Sequence, residues 1–270
     1  MSRVIQREMI VPNIHLLTIE SPLMATKIQP GHFVIVKVDE QGERVPLTVS
    51  DWDVEAGTVT CLFMQVGRST RKLAALKAGD EIPTFVGPLG KPIEIGRFGT
   101  VACVGGCYGI GSIYPVARAM REAGNRVLSL IEARGRFLVY WEDRLREVSD
   151  TVMVATRDGS TPYKGRNSST LQGLLKAGEK VDRVVAIGCT FMMYDVAEAT
   201  RSFEIMTRVS LNPVMVDGTG MCGACRVEVG GETKFACVDG PDFDGHAVDW
   251  DLLLARRKAY MFDETLSEER

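Results

Sequence analysis

Short apolar runs separated by turn residues dominate the first hundred residues. Val, Ile, Leu, Phe and Thr recur in these runs, and Gly, Pro, Asp or Asn interrupts them. A series of short β-rich runs with few helical stretches predicts a small antiparallel barrel. We expect strands at 9–11, 15–19, 32–38, 46–49, 59–65 and 81–86, and one short helix at 70–76.

A different rhythm begins at Gly99. Strand-like runs at 100–104, 126–131, 151–155 and 183–187 alternate with helix-like segments at 113–123, 141–147, 169–176 and 191–203. Alternating units of this kind build a parallel sheet covered by helices.

The C-terminal part of the chain carries three clustered cysteines, a hairpin (225–229 and 233–236) and a helical tail at 249–264 that frays at 267–270. We therefore expect a multi-domain β plus α/β protein. Its predicted domains are an antiparallel β-barrel at 1–98, a parallel-sheet α/β domain at 99–208, and a small cysteine module with a tail at 209–270.

Composition and charge narrow the class of protein. The chain has 270 residues, 45% hydrophobic and 25% charged, with a net charge of -3. This balance offers no basic surface to a nucleic acid. The apolar runs are too short to span a bilayer and the N-terminus lacks a signal-peptide pattern, so we expect a cytoplasmic location and no membrane partner. Seven unevenly scattered cysteines argue against a disulfide framework.

The most informative chemistry lies between Asp217 and Cys237. Plant-type [2Fe-2S] loops read C-x4-C-x2-C with a distant fourth cysteine. Asp217, Cys222 and Cys225 keep that spacing, with an aspartate at the first position, and Cys237 follows. Each iron takes two anionic ligands, and a carboxylate supplies one through oxygen. We predict a [2Fe-2S] cluster on these four residues, and one-electron transfer as its chemistry.

Two other interpretations of the cysteines stay open. A structural zinc also accepts thiolates and carboxylates at such spacings, although zinc sites favour Cys and His ligands and this loop has no His. Unligated core cysteines are the second alternative, against which the surrounding glycines argue.

A glycine turn follows the first strand of the predicted parallel sheet. Gly105, Gly106 and Gly109 would allow a phosphate to approach the backbone, and the next helix would offer its positive N-terminus. The turn is not G-x-G-x-x-G, so a nucleotide site and a tight strand-helix connection stay equally open. Gly188 follows the last predicted parallel strand, at the sheet edge where α/β folds bind ligands.

Charged residues follow the second strand of that sheet. Glu132 stands where an acidic residue binds the ribose hydroxyls of NAD. Arg134 and Arg136 instead suit the extra phosphate of NADP, and a solvated loop is the third interpretation. The nucleotide preference is open on these residues alone.

Two barrel segments have the composition of a pyrophosphate site. One is Arg44-Val45-Pro46-Leu47-Thr48, and the other is Gln65-Val66-Gly67 followed by Ser69 and Thr70. An arginine pairs bidentately with phosphate, and the amides at a helix start add a second anchor. Either segment alone is more often a capped turn or a surface arginine.

The order of the three modules resembles the ferredoxin-NADP reductase superfamily, in the branch that includes the dihydroorotate dehydrogenase electron-transfer subunit. The resemblance spans the chain and rests on R-x-P-L-T at 44–48, the glycine turn at 105–109 and the cysteine loop. Within that branch, Asp217 and the segment 237–250 are most similar to the small subunits of NADH-dependent ferredoxin:NADP oxidoreductases.

The resemblance implies three redox-active groups and no catalytic side chain, because the cofactors carry the chemistry. It implies FAD on the barrel, NAD(H) on the parallel-sheet domain and a [2Fe-2S] cluster on the module, in a complex with a larger flavin and iron-sulfur subunit. The implied FAD residues are Arg44, Val45, Pro46, Leu47, Thr48, Gln65, Val66, Gly67, Ser69 and Thr70. The implied nucleotide residues are Gly105, Gly106, Gly109 and Gly188.

The implied reaction is electron transfer between NAD(H) and the partner subunit through FAD and the cluster, in an electron-bifurcating complex. The alternatives are the electron-transfer subunit of dihydroorotate dehydrogenase, or that of a sulfide dehydrogenase or hydrogenase complex. A redox-inert scaffold held by zinc is a further hypothesis from a different class. Cys107 and Cys189 depart from the family pattern, where relatives have glycine and proline.

Overall fold

The computed structural model describes residues 2–259 of the chain. The described residues divide into two units. The first runs to Pro92 and includes Asn212–Pro241 and the segment from Asp249, and the second comprises Ile93–Leu211 and Asp242–Val248. The three domain boundaries expected from the sequence stay predictions.

The structure assigns the following elements in chain order. The strands are β1 (Ser2–Val11), β2 (Ile14–Glu20), β3 (Phe33–Lys37), β4 (Val45–Asp53), β5 (Thr58–Met64), β6 (Glu81–Ile82), β7 (Thr84–Leu89), β8 (Thr100–Gly106), β9 (Arg126–Ala133), β10 (Thr151–Thr156), β11 (Tyr163–Lys164), β12 (Arg183–Ile187), β13 (Met206–Ser210), β14 (Arg226–Val229), β15 (Glu232–Phe235) and β16 (Asp242–Asp244). The helices are α1 (Pro22–Ala25), α2 (Arg68–Ala75), α3 (Gly109–Glu122), α4 (Glu142–Glu147), α5 (Asn167–Lys176), α6 (Thr190–Arg201) and α7 (Trp250–Lys258).

The first unit contains a seven-stranded antiparallel sheet in the order β6-β1-β2-β5-β4-β3-β7. Only Pro83 separates β6 from β7, so the chain itself brings the two edges of the sheet together and the barrel is nearly closed. The predicted antiparallel barrel is confirmed. The single strand expected at 81–86 is wrong, because proline has no backbone N–H to continue a ladder and the chain changes edges there.

Every second side chain along the barrel strands points into the barrel interior. Leu17 and Ile19 on β2 are fully buried, whereas Thr18 between them is half-buried. β1 begins at Ser2, seven residues before the predicted start at residue 9. Its first half has only two apolar residues, Val4 and Ile5, among polar and charged ones, so the apolar signal there was too sparse to be recognised as a strand.

The second unit is built on a seven-stranded sheet in the order β11-β10-β9-β8-β12-β13-β16. The strands from β11 to β13 are parallel, and β16 pairs antiparallel with β13. The predicted parallel-sheet domain is confirmed. The strands β13 and β16 were not predicted. β16 forms one edge of the sheet, is only three residues long and lies in a polar stretch far along the chain.

The predicted hairpin between Cys225 and Ala236 is present as β14 and β15. Gly230 and Gly231 join the two strands with φ of 63° and 76°. Positive φ at both central residues is the requirement of a type I′ turn, which glycine meets without strain. Helix α7 follows, with the Asp249 side chain accepting a hydrogen bond from the Leu252 amide at 2.8 Å. The predicted tail beyond residue 259 and its frayed end lie outside the described residues.

No helix among residues 2–259 has the length and hydropathy needed to cross a membrane.

Close backbone packing in the second unit requires Gly109. A Cβ there would lie 1.9 Å from the Ile187 carbonyl oxygen, which is backbone and cannot move aside.

We expect Gly109→Ala to lower the free energy of unfolding by about 3 kcal/mol or more, at the upper end of overpacking costs. Gly173→Ala is the matched control, because a Cβ there meets nothing within 4 Å in helix α5. The control should raise stability by about 0.5–1 kcal/mol.

Denaturant unfolding followed by circular dichroism measures both variants. Equal stability of the two would contradict the packing role assigned to Gly109.

Candidate functional site

The β14–β15 hairpin brings two of the four predicted iron ligands together. Arg226 pairs with Phe235, and the Ala236 amide donates to the Cys225 carbonyl at 3.1 Å. This register sets Cys225 against Cys237, whose sulfurs lie 3.1 Å apart. Both residues are 2% exposed. Two buried sulfurs at this separation are close enough to bind the same metal ion.

The other two predicted ligands meet in the loop before the hairpin. The Asp217 carboxylate accepts hydrogen bonds from the Thr219 amide at 2.8 Å and the Cys222 amide at 3.0 Å. These bonds hold the pKa of Asp217 below its usual range, so the side chain is an anion at neutral pH. Asp217 is half-buried and Cys222 is exposed.

The pKa of Cys237 depends on residues of both the hairpin and the loop before it. Burial and the neighbouring Cys225 raise the pKa of the Cys237 thiol to about 12, the Asp217 charge adds to the rise, and the Gly220 amide opposes it. A metal's positive charge would be needed to keep this sulfur deprotonated at neutral pH.

The donor set fits a binuclear iron cluster. A [2Fe-2S] cluster takes four protein ligands, two on each iron. Asp217 lies beside Cys222, and Cys225 lies beside Cys237, so each pair could give one iron two anionic ligands. Across residues 2–259, no three His, Cys, Asp or Glu side chains are grouped closely enough to hold one metal ion.

The cysteine loop packs on the barrel within the first unit. Gly218 has φ of 79°, and a Cβ there would lie 2.8 Å from Ile35 Cγ1 and 3.1 Å from Leu89 Cδ1. Only glycine allows this approach to β3 and β7. A second contact is the Lys91 amide, which donates to the Gly240 carbonyl at 2.6 Å. The loop is therefore seated on the same barrel as the predicted flavin residues.

The two predicted flavin segments are neighbours at one part of the barrel. The Ser69 hydroxyl donates to Glu43 Oε2 at 3.3 Å, which ties the start of α2 to the residue before Arg44. Along β4 the exposure alternates: Arg44 and Pro46 are exposed, whereas Leu47 is 6% exposed and belongs to the core. Leu47 therefore supports the strand, and its outer neighbours are the accessible ones.

The turn before α2 is held by Thr70. Its hydroxyl oxygen accepts from the Val66 and Gly67 amides at 3.0 Å each and donates to the Gly67 carbonyl at 3.1 Å. A Cβ built on Gly67 meets nothing within 4 Å. The backbone is thus open on that side, which fits a phosphate group lying against the turn.

Gln65 has a buried histidine, His15, as its side-chain partner. His15 Nε2 lies 3.0 Å from Gln65 Oε1, and the Gln65 amide donates to the Asn13 carbonyl. His15 is 4% exposed and stacks on Phe63 at 5.3 Å. Burial lowers the pKa of His15, so its ring is neutral. The ring orients the side-chain carboxamide of Gln65 through the contact at Oε1.

The glycines at the carboxyl ends of β8 and β12 serve packing in the second unit. A Cβ on Gly105 would lie 2.9 Å from the Gly109 carbonyl oxygen, and one on Gly106 would lie 3.1 Å from Glu132 Cγ. A Cβ on Gly188 would lie 2.4 Å from Met192 Cε and 3.0 Å from the Gly106 carbonyl oxygen. The structure thus brings all four predicted nucleotide glycines to the carboxyl ends of β8 and β12. Their contact with a nucleotide stays a prediction.

Glu132 is buried rather than presented to solvent. It is 6% exposed, and its Oε2 accepts from the Asn167 amide at 2.6 Å, where α5 begins. Burial raises the pKa of Glu132. The remaining oxygen lies 4.0 Å from Arg157 Nη2, and Arg134 nearby is exposed. A ribose contact by Glu132 or a phosphate contact by Arg134 stays a prediction.

Two tyrosines that sequence reasoning did not select hold the same turns. Tyr140 Oη donates to the Cys107 carbonyl at 2.8 Å and accepts from the Gly111 amide at 3.2 Å. Tyr108 Oη donates to the Gly188 carbonyl at 2.9 Å. No local pattern marks Tyr140, because it reaches this turn from a separate loop.

Comparison with known proteins agrees with this arrangement. Residues 212–249 match the family described as the iron-sulfur cluster binding domain of dihydroorotate dehydrogenase B. A homolog of the dihydroorotate dehydrogenase B (NAD(+)) electron transfer subunit from Thermotoga maritima is 43% identical over 270 residues, covering 100% of this chain and 95% of the relative. The electron transfer subunit from Shouchella clausii is 32% identical and covers 84% of this chain and 89% of the relative.

A solved structure of the NADH-dependent reduced ferredoxin-NADP oxidoreductase, described in a study of flavin-based electron bifurcation, matches with a TM-score of 0.94. The matching chain is 42% identical, and the match covers 100% of this chain and 97% of that one. The expected resemblance is confirmed.

The barrel, the parallel sheet and the cysteine module define a ferredoxin reductase-like oxidoreductase subunit that carries an iron-sulfur binding domain. Within that class, the chain belongs to the family of dihydroorotate dehydrogenase B electron transfer subunits and their homologs.

We expect serine substitution of Cys225 or Cys237 to remove bound iron and acid-labile sulfide from anaerobically purified protein. Each change takes one of two donors from the same buried pair, and a serine hydroxyl is a poor ligand for iron. Cys61→Ala is the matched control, since Cys61 is buried in the barrel core. Full iron in the Cys225 variant, or loss of iron in the control, would contradict the assignment.

Proposed function

We propose that this chain is the electron-transfer subunit of an NADH-dependent, flavin-based electron-bifurcating oxidoreductase of the ferredoxin:NADP oxidoreductase type. Electrons pass between NAD(H) and a partner subunit by way of FAD and a [2Fe-2S] cluster. When bound, FAD supplies the conversion between two-electron nicotinamide chemistry and one-electron iron-sulfur chemistry. The protein's own residues bind, orient and shield these groups.

In this proposal the barrel binds FAD at the outer residues of β4 and at the turn before α2. Arg44 provides the cation for the pyrophosphate and the Gly67 turn provides the open backbone. Gln65, oriented by His15, offers an amide to the flavin. Thr70 fixes the turn through its two amide contacts.

The cysteine module binds the cluster through Asp217, Cys222, Cys225 and Cys237. Asp217 is ionised, so it adds negative charge to the cluster and tunes its reduction potential. The second unit binds NAD(H) at the carboxyl ends of β8 and β12, the usual ligand edge of a parallel sheet.

One observation carries the proposal: the cysteine loop lies one strand away from the predicted flavin strand, inside one unit. Gly218 packs on Ile35 of β3, and Ile35 is the register partner of Pro46 on β4. Adjacent strands lie about 4.8 Å apart. This proximity supports direct electron exchange between a flavin on β4 and a cluster on the loop.

A partner subunit is supported by the surface around the loop. Met221 is 89% exposed, and Val216 and Val238 are exposed in the same module. Clustered apolar side chains on a surface mark contacts with other proteins. We propose a larger flavin and iron-sulfur subunit as the partner.

The second candidate function is electron transfer for a dihydroorotate dehydrogenase. The family match at residues 212–249 and the Shouchella clausii relative favour it. Asp217 in place of the first cysteine favours the ferredoxin:NADP oxidoreductase type, in keeping with the match to that solved structure. Assays of the purified complex with ferredoxin and NADP, or with dihydroorotate, separate the two.

The test of the electron path is anaerobic mixing of NADH with the purified complex. We expect bleaching of the flavin absorption, followed by the electron paramagnetic resonance signal of a reduced [2Fe-2S] cluster. A flavin that NADH does not bleach would contradict the proposal.

Gly67→Ala tests the flavin site. A methyl group there meets no protein atom, so the fold should be unchanged, while the group would occupy space assigned to the pyrophosphate. We expect the variant to bind FAD about tenfold more weakly, equal to about 1.4 kcal/mol. Titration of the flavin-free protein measures this, with Gly173→Ala as the control. Unchanged FAD affinity in Gly67→Ala would place the pyrophosphate elsewhere.

Asp217→Asn tests the carboxylate ligand. Removing an anionic donor makes the cluster less negative, so any cluster retained should have a higher reduction potential and an altered spectrum. Asp239→Asn is the matched control, because Asp239 also accepts a backbone hydrogen bond, from Phe235 at 2.7 Å, in the same module. Redox titration followed by electron paramagnetic resonance compares them. Equal potentials in both variants would argue that Asp217 only shapes the loop.

A further inference from the structure

Cys107 and Cys189 occupy matching positions at the ends of neighbouring strands. Cys107 directly follows β8, and Cys189 is the second residue after β12. The two strands are parallel with Gly105 opposite Ile187. Cys107 and Cys189 each lie two residues beyond this register pair, where both segments have left their strands.

The close approach of the two segments continues beyond the paired residues. A Cβ on Gly188 would lie 3.0 Å from the Gly106 carbonyl oxygen, and one on Gly109 would lie 2.8 Å from Gly188 Cα. Tyr108 Oη also bonds the Gly188 carbonyl at 2.9 Å. Gly106 and Gly188 directly precede Cys107 and Cys189, so the two cysteines stand at the start of neighbouring turns. A disulfide requires their Cα atoms to come within roughly 4.4–6.8 Å of each other.

The two thiols interact electrostatically, and both are accessible to solvent. Loss of water around the Cys107 sulfur raises its pKa, and the charge that Cys189 would carry adds to the rise. Cys107 is exposed and Cys189 is half-buried, whereas Cys61 and Cys103 are fully buried. Both thiols are free in this structure.

We propose that Cys107 and Cys189 form a reversible dithiol-disulfide site that controls access of the nicotinamide nucleotide to the second unit. The chemical class of oxidant is a low-molecular-weight disulfide. The pair is separate from the cysteines assigned to the cluster.

The exchange proceeds in two balanced steps. One cysteine sulfur attacks a sulfur of the small disulfide, whose S–S bond breaks and releases one small thiol. The second cysteine then attacks the protein-bound sulfur of the mixed disulfide, forms the Cys107–Cys189 bond and releases the second small thiol. The two cysteines lose two electrons to the oxidant, and their two protons leave on the released thiols.

The effect on the nucleotide rests on the proposed function of the second unit. The disulfide would cross-link the two turns whose glycines are predicted to face the nucleotide, so those turns could not adjust to it. We expect oxidation to weaken NADH binding about fivefold or more, within the usual range of coupling between sites. Linkage then requires bound NADH to disfavour the disulfide by the same factor.

The test uses the full chain, purified anaerobically with its cofactors and equilibrated with mixtures of reduced and oxidised glutathione. Alkylation of the remaining thiols, digestion and mass spectrometry should identify a peptide pair that joins residues 107 and 189. NADH titration of the oxidised and reduced forms measures the change in affinity. Repeating the equilibration with NADH present measures the reciprocal effect.

Cys107→Gly is the control variant. Cys107 has φ of 54°, a region that favours glycine, so this change removes the thiol without straining the turn. The variant should give no linked peptide, and oxidised glutathione should not alter its NADH affinity. Full alkylation of both cysteines at every glutathione ratio would overturn the proposal.

Two further outcomes separate the proposal from the function on which it depends. A linked peptide with unchanged NADH affinity would overturn the control of access. The linked peptide could also form in a protein whose reduced form binds no NADH. That result would contradict both the proposed nucleotide site and the control of access. It would still verify the thiol pair itself.

Discussion

The contact between Gly218 and the barrel is the constraint on which the arrangement of the first unit depends. A side chain at this position would collide with Ile35 and Leu89, so the cysteine loop reaches β3 and β7 only because the residue is glycine. The loop then presents Asp217 and Cys222 beside the barrel, while the register of the β14–β15 hairpin sets Cys225 against Cys237. Backbone geometry and local pairing together bring the four predicted iron ligands together as two pairs within a short stretch of chain.

Close backbone approach at glycines also determines the packing of the second unit. Gly105, Gly109 and Gly188 bring β8, α3 and β12 closer than side chains would allow. Their first role is packing, and the open carboxyl ends of the strands are its consequence. The carboxylate of Glu132 is used within the protein to hold the start of α5. Residues predicted to contact a ligand thus also have structural roles. Glu132 Oε2 is already bonded to the Asn167 amide, which leaves Oε1 as the oxygen for a ligand.

Much of the fold followed from local patterns. Short β-rich runs between turn residues predicted the strand that contains Leu17 and Ile19, and two β-rich runs joined through Gly230-Gly231 predicted the hairpin, because both are short-range effects. What the patterns missed depends on contacts distant in sequence. The pairing of β16 with β13, the division of the strand at Pro83 and the Tyr140 bond to the Cys107 turn all depend on where separate segments meet.

We propose that two pairs of donors hold two bridged irons beside the strand predicted to bind FAD. Iron X-ray absorption spectroscopy of the anaerobically purified protein is the decisive measurement. We expect a first shell of sulfur with an oxygen contribution from Asp217, and a second feature from a neighbouring iron. A spectrum without iron-iron scattering, or a protein that contains zinc in place of iron, would contradict it.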